Sequence, residues 1–389
     1  MTIARKGALF ADGNLRVGTR LAVIAAFFLT ATASSSLATS DALPSVAPHP
    51  PGRLIDLGGY KLHLLCSGRG RPTIVLIPGA GDFSFDWSLV QSPLSRRHRV
   101  CSYDRGGEAW SDLGPKPRTR TQEAFDLERL LAKGGETAPF VLVGHSMGGD
   151  VARLFRIEYP SAVAGIVFVD SAPPDSPIFI NGKLGPATSF TRGRAIPRPR
   201  TKVTESDQLT DEERGKINEW IAANNVRPSI DPPFDRLPPR ERSWHLWALA
   251  KLSHFVALDS DYFGEEAVRM KEADIAGRHP YGDIALVVLL RDSKIEPYHD
   301  PKGTTPQQSL EIHGAALARL SIRGSFRVVS GSTHHIYVDH PAAVIAAIEK
   351  VVALAGMRGF SGQHREGVIQ PRYDSASRPS NRHQGVDRR

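Results

Sequence analysis

Between residues 53 and 170 the chain alternates short apolar runs with segments of helical periodicity. Arg53–Leu57 and Lys61–Cys66 flank Gly58-Gly59, which predicts two antiparallel strands joined by a tight turn. Thr73–Ile77, Arg99–Tyr103, Phe140–Val143 and Gly165–Val169 read as further strands. Between them, Ala124, Leu127, Leu130 and Leu131 recur at helical spacing in Thr121–Lys133, behind a threonine able to cap. Met147–Tyr159 carries a second helical pattern. Short apolar strands alternating with helices predict an α/β fold with a mostly parallel sheet covered on both faces.

The rhythm breaks at residue 171. The next stretch is rich in proline (Pro173, Pro174, Pro177, Pro186, Pro197, Pro199) and then helical, with candidates at Thr210–Ala223, Pro239–Leu258 and Gly264–Ala276. The sheet pattern returns with Ile284–Leu290 and Phe326–Val329, and Pro341–Ala355 predicts a closing helix. The expected organisation is a core of residues 53–170 and 283–355, with residues 171–282 inserted as a helical lid. Insertions at strand ends commonly cover functional sites.

The two ends differ from this body. An apolar run, Leu21–Leu29, follows Arg16 and Arg20 and precedes the small residues Ala31 and Ala33. Residues 1–33 therefore read as a secretory signal, and the chain is expected to be secreted or periplasmic. The run falls short of the roughly 20 apolar residues that span a bilayer, so membrane contact is expected only if this segment stays uncleaved. Residues 34–52 resemble a linker, and residues 356–389 are polar and expected to be disordered.

A net charge of +8 invites a nucleic-acid reading, but the charge sits at the ends. Residues 1–33 carry Arg5, Lys6, Arg16 and Arg20 against Asp12, and residues 356–389 carry seven arginines against Glu366, Asp374 and Asp387. The near-neutral remainder lacks the electrostatic footprint of phosphate binding, and no nucleic-acid partner is expected. Cys66 and Cys101 are the two cysteines, an even pair compatible with a disulfide in an exported chain or with two buried thiols that never meet.

Gly144-His145-Ser146-Met147-Gly148 follows the strand Phe140–Val143 and opens a helix. This is the setting a G-x-S-x-G nucleophile elbow needs, and it makes Ser146 the candidate nucleophile. A serine hydroxyl needs a base. Among fourteen histidines, His334 follows the last strand candidate across a short polar loop, and His335 is its rival, otherwise a pocket wall. His145 is expected to pin or pack the elbow. Two carboxylates compete to orient the base, Asp170 after Gly165–Val169 and Asp292 after Ile284–Leu290, with Glu296 more distant. Arg291 is positioned in sequence to hold Asp292 away from the histidine. Pro78-Gly79-Ala80-Gly81 follows a strand, and the backbone amides of Ala80 and Met147 are the expected oxyanion donors. Neither a cofactor nor a metal is called for.

These residues resemble the α/β-hydrolase fold superfamily. They are most similar to bacterial serine hydrolases with a Tyr-Asp-Arg-x-Gly-x-Gly-Trp-Ser signature, here Tyr103-Asp104-Arg105-Gly106-Gly107-Glu108-Ala109-Trp110-Ser111. The resemblance implies an eight-stranded sheet in which the strands of Cys66 and Cys101 are neighbours, hence a Cys66–Cys101 disulfide. It also favours Asp170 as the acid, through the match at Phe168-Val169-Asp170-Ser171. Two departures stand out: Pro78 where the family commonly has a bracing histidine, and Glu108-Ala109 where it has an aromatic and a glycine. The expected activity is hydrolysis of a small, partly apolar carboxylic ester through an acyl-enzyme. The alternatives are an amidase or lactonase with the same triad, a non-catalytic binding protein on this fold, and an envelope-anchored interaction protein with a basic tail.

Overall fold

The computed structural model describes residues 47–180, 183–191, 193–259, 265–297 and 305–356. The expected signal segment, residues 34–46 of the linker and the basic tail from 357 onward lie outside the described residues. The strands are β1 (Arg53–Asp56), β2 (Lys61–Ser67), β3 (Thr73–Ile77), β4 (Val100–Tyr103), β5 (Phe140–His145), β6 (Val163–Val169), β7 (Pro177–Ile180), β8 (Lys183–Pro186), β9 (Ala285–Leu290) and β10 (Arg323–Val328). The helices are α1 (Ser88–Leu94), α2 (Arg120–Lys133), α3 (Gly148–Glu158), α4 (Ala187–Thr191), α5 (Asp211–Ala223), α6 (Pro239–Leu249), α7 (Leu252–Asp259), α8 (Glu266–Ile275), α9 (Pro306–Ala318), α10 (Ile336–Asp339) and α11 (Pro341–Gly356).

Eight strands form one sheet in the order β1-β2-β4-β3-β5-β6-β9-β10. The first two pairings are antiparallel and the rest parallel. Side chains alternate across it, as strand geometry requires. Val75 and Ile77 of β3 join Leu142, Ile166 and Leu286 beneath α2, α3 and α9. Ile74 and Leu76 join Val141, Val143 and Val167 beneath α1 and α11. Both faces are therefore dry, which explains why the central strands read as unbroken apolar runs. Thr119 caps α2, its hydroxyl accepting from the Gln122 amide.

The Gly58-Gly59 turn forms as expected. Both glycines have positive φ, and Asp56 Oδ1 accepts from both amides. Cys66 stands opposite Cys101 in the β2–β4 register, and the two are disulfide-bonded. Several elements depart from the sequence reading. The predicted helix Pro239–Leu258 is two helices, α6 and α7, with Ala250 capping the first. The short hairpin β7–β8 and the helices α1 and α9 carried no periodic signal strong enough to be read. Between β6 and β9 the described residues form that hairpin and α4 to α8. Among the described residues, no helix is long and apolar enough to cross a membrane.

Candidate active site

Parallel strands deliver their carboxyl ends to one edge of the sheet, and ligands bind there in open α/β folds. The loops after β3, β5, β6, β9 and β10 all leave from that edge, and together they carry every candidate residue named above. β5 ends at His145, and the chain reverses at Ser146 into α3. Ser146 has φ 49°, a left-handed conformation that a non-glycine residue adopts at a cost. Its amide donates to the Val169 carbonyl at 3.0 Å, locking the turn against β6. The flanking glycines are required by space. A Cβ on Gly144 would lie 2.5 Å from the Gly148 carbonyl oxygen, and one on Gly148 would strike the Ile77 carbonyl.

His334, in the loop after β10, meets Asp170, which follows β6. The Nδ1–Oδ2 separation is 2.5 Å. Asp170 is itself a left-handed residue, φ 47°, held by its amide donating to Leu289. Its other carboxylate oxygen accepts from the Arg291 amide at 2.9 Å, and the Arg291 guanidinium lies 3.4 Å away. Burial would push this carboxyl up, but the Arg291 charge and then the His334 bond outweigh it, so Asp170 lies below the ordinary carboxylate range. Burial, and then the charge of His145, hold His334 below the ordinary imidazole range. His334 thus rests as a neutral ring beside an ionised carboxylate, the state a general base needs.

Asp292 is elsewhere. Its carboxylate accepts from the amides of Gly331 and Lys294, pinning the turn that precedes His334. The expected Arg291–Asp292 pairing does not form. Arg291 reaches Asp170 and Glu296 instead. Glu296 accepts the His334 amide at 2.8 Å and so fixes His334 through its backbone. His335 turns away from Asp170, with Nε2 3.7 Å from Asp82 and its ring 4.7 Å from that of Phe234.

The loop after β3 carries Ala80, which is exposed, and Asp82, which is buried. Among the described residues, neither the Ala80 nor the Met147 amide donates to another protein group. Asp82 accepts from the Gly79 amide at 3.0 Å and from His145 at 2.6 Å. The His145 ring contacts the His334 carbonyl through Nε2 at 3.0 Å. Asp82, His145 and His335 gather three potential metal-ligand atoms within 4.8 Å. Both His145 nitrogens already face acceptors, the Asp82 carboxylate and the His334 carbonyl.

Over this loop sit α6 and α7. A Cβ on Gly81 would touch Leu258 and His254, both on α7. His245 pairs with Asp86 at 2.8 Å and His254 with Glu108 at 2.7 Å, and all four residues are buried. Phe83, Phe85, Ala109 and Ala248 pack beside Trp110, Trp244 and Trp247 as an aromatic wall. The sequence reading missed these histidine–carboxylate pairs. Glu108, noted as a departure from the family pattern, was the one available signal.

Residues 74–347 match the Alpha/beta hydrolase family. This chain belongs to the alpha/beta hydrolase family. Uncharacterized protein Rv2715 of Mycobacterium tuberculosis (strain ATCC 25618 / H37Rv) is 32% identical over 318 residues, covering 78% of this chain and 82% of that protein. Probable transporter efuK of Hormonema carpetanum is 36% identical over 137 residues, 33% of this chain and 20% of that protein. The chain spans from 20% to 54% of the length of the first curated relatives it matches. Among solved structures, a thermophilic esterase from Thermogutta terrifontis aligns with a TM-score of 0.51 at 23% identity, covering 76% of this chain and 94% of that one. That likeness is one of fold.

Proposed function

We propose that this member of the family is a serine hydrolase that cleaves small, partly apolar carboxylic esters through an acyl-enzyme. The observation that carries the reading is the 2.5 Å Asp170–His334 contact on the sheet edge where Ser146 occupies a left-handed turn. In this mechanism Ser146 Oγ attacks the ester carbonyl and His334 Nε2 takes its proton. Asp170 holds the ring through Nδ1 and stabilises the imidazolium that forms. The Ala80 and Met147 amides receive the developing oxyanion, and the positive end of α3 adds to them. His334 then protonates the leaving alcohol, and water releases the acyl group by the same route in reverse.

Ser146 rather than a carboxylate at the elbow favours this acyl-transfer route over an alkyl-enzyme one. The aromatic wall that α6 shares with the loops after β3 and β4 supports an apolar component in the substrate, and residues 171–282 then act as its lid. Export through the N-terminal segment fits the Cys66–Cys101 disulfide, since such bonds persist in oxidising compartments. A serine-directed fluorophosphonate is expected to label Ser146. Turnover of p-nitrophenyl esters should fall about 10⁵-fold or more in Ser146→Ala. A folded wild-type protein that takes no label would reject the reading. Labelling with turnover confined to amides or lactones would redirect the substrate class.

A further inference from the structure

Position 78 is a proline, so the oxyanion loop lacks the side-chain brace that a histidine there would give. The structure holds another one. His145 is buried between two groups that only accept hydrogen bonds, the Asp82 carboxylate at 2.6 Å and the His334 carbonyl at 3.0 Å. A ring between two acceptors satisfies both by carrying a proton on each nitrogen. Asp82 supplies the counter-charge and also holds the Gly79 amide. One ion pair therefore touches the oxyanion loop, the elbow and the base loop at once.

We propose that Asp82 and His145 are positioning residues of this site, a charged brace that sets the register of those three loops. The inference rests on the serine-hydrolase reading for its kinetic consequences, but the brace itself does not. Two consequences follow. The Ala80 amide is carried by the loop that Asp82 fixes, so loss of the brace should lower kcat more than it raises KM. The second is electrostatic. The groups facing His334 are Asp170 and Arg291 from the loops after β6 and β9, Glu296 at its amide, neighbouring His335, and His145, whose ring centroid is 4.6 Å away. An imidazolium at that distance disfavours a second positive charge on His334, so the base stays unprotonated into mildly acidic solution. Removing it lets His334 take a proton at higher pH, and the acid limb of the rate profile moves up.

The first test needs no variant. Nitrogen-15 NMR of histidine-labelled wild-type protein at pH 7 is expected to show both His145 nitrogens protonated. A neutral tautomer overturns the proposal. In the second test, His145→Gln is expected to lower kcat about tenfold to a hundredfold. It should also raise the acidic limb of kcat/KM by about one pH unit. An unchanged limb in a variant that melts with the wild type overturns the electrostatic half of the argument. If Ser146 takes no fluorophosphonate while His145 is doubly protonated, the hydrolase reading fails and the brace stands.

Discussion

The sheet core and the segment inserted after β6 are held together by different physics. In the core, alternation of side chains across parallel strands fixes each residue's place, and a one-residue slip would turn Ile74 and Leu76 from one apolar layer into the other. The loops at the strand ends inherit that precision. Ser146, Asp170 and His334 lie far apart in sequence, yet they occupy one edge because β5, β6, β9 and β10 are sheet neighbours in that order. The inserted segment has no such register. It meets the core through buried histidine–carboxylate pairs and an aromatic wall. Apolar alternation places residues at little cost, whereas each buried carboxylate must meet a donor or its burial is costly.

The sharpest test of the core's half of this contrast separates two aspartates that the sequence left in competition. Asp170→Asn removes the charge that orients His334, and ester turnover is expected to fall about 10⁴-fold. Asp292→Asn removes an acceptor for the Gly331 and Lys294 amides. Its effect should stay near tenfold or less and track thermal stability. If both variants lose activity equally, strand register does not decide which acid serves.

Much of the core was legible because its signals are local. Five residues of Thr73–Ile77, all buried, read as a strand before any partner is known, and the elbow glycines announce the turn they permit. The carboxylate that meets His334 was harder to read, since β6 and β9 are each followed by an aspartate within two residues of the strand. Their carboxylates part only when Arg291 reaches Asp170, a matter of three-dimensional placement. In the insertion, the partners of His245 and His254 sit 159 and 146 residues upstream, and no period or spacing encodes such pairs. The break between α6 and α7 was missed for a related reason. Ala250-Lys251 is a good helix-forming pair locally, so nothing in the local sequence marks the end of α6 at Leu249.

The disulfide offers a second perturbation confined to the core. Cys66 and Cys101 are 35 residues apart, so the bond restricts the unfolded chain over a loop of that length. Replacing both with serine is expected to cost about 4 kcal/mol of stability. Urea denaturation of the oxidised protein and the variant measures it. The elbow lies two strands away across β3, so the labelling rate of Ser146 at low temperature should stay within about twofold, a difference of less than 1 kcal/mol. A large loss of labelling in the folded variant would mean that the β2–β4 pairing is coupled to the site.

The insertion's attachment gives the subtlest prediction. Glu108 is fully buried, bonded to His254 on α7 and facing Arg105, which also pairs with Glu123. Glu108→Gln keeps the side-chain shape and removes the charge that His254 and Arg105 share. Because Arg105 retains Glu123, the cost should fall below that of stripping a buried charge of all its partners, at about 2 kcal/mol. If the insertion is attached by matched pairs, that loss should appear locally. Hydrogen exchange would quicken about tenfold or more in α6 and α7 while the amides of β5 and β6 keep their wild-type protection. Faster exchange everywhere, β5 and β6 included, would instead mean that core and insertion open as one unit, and the contrast between register and pairing would describe their assembly without describing their stability.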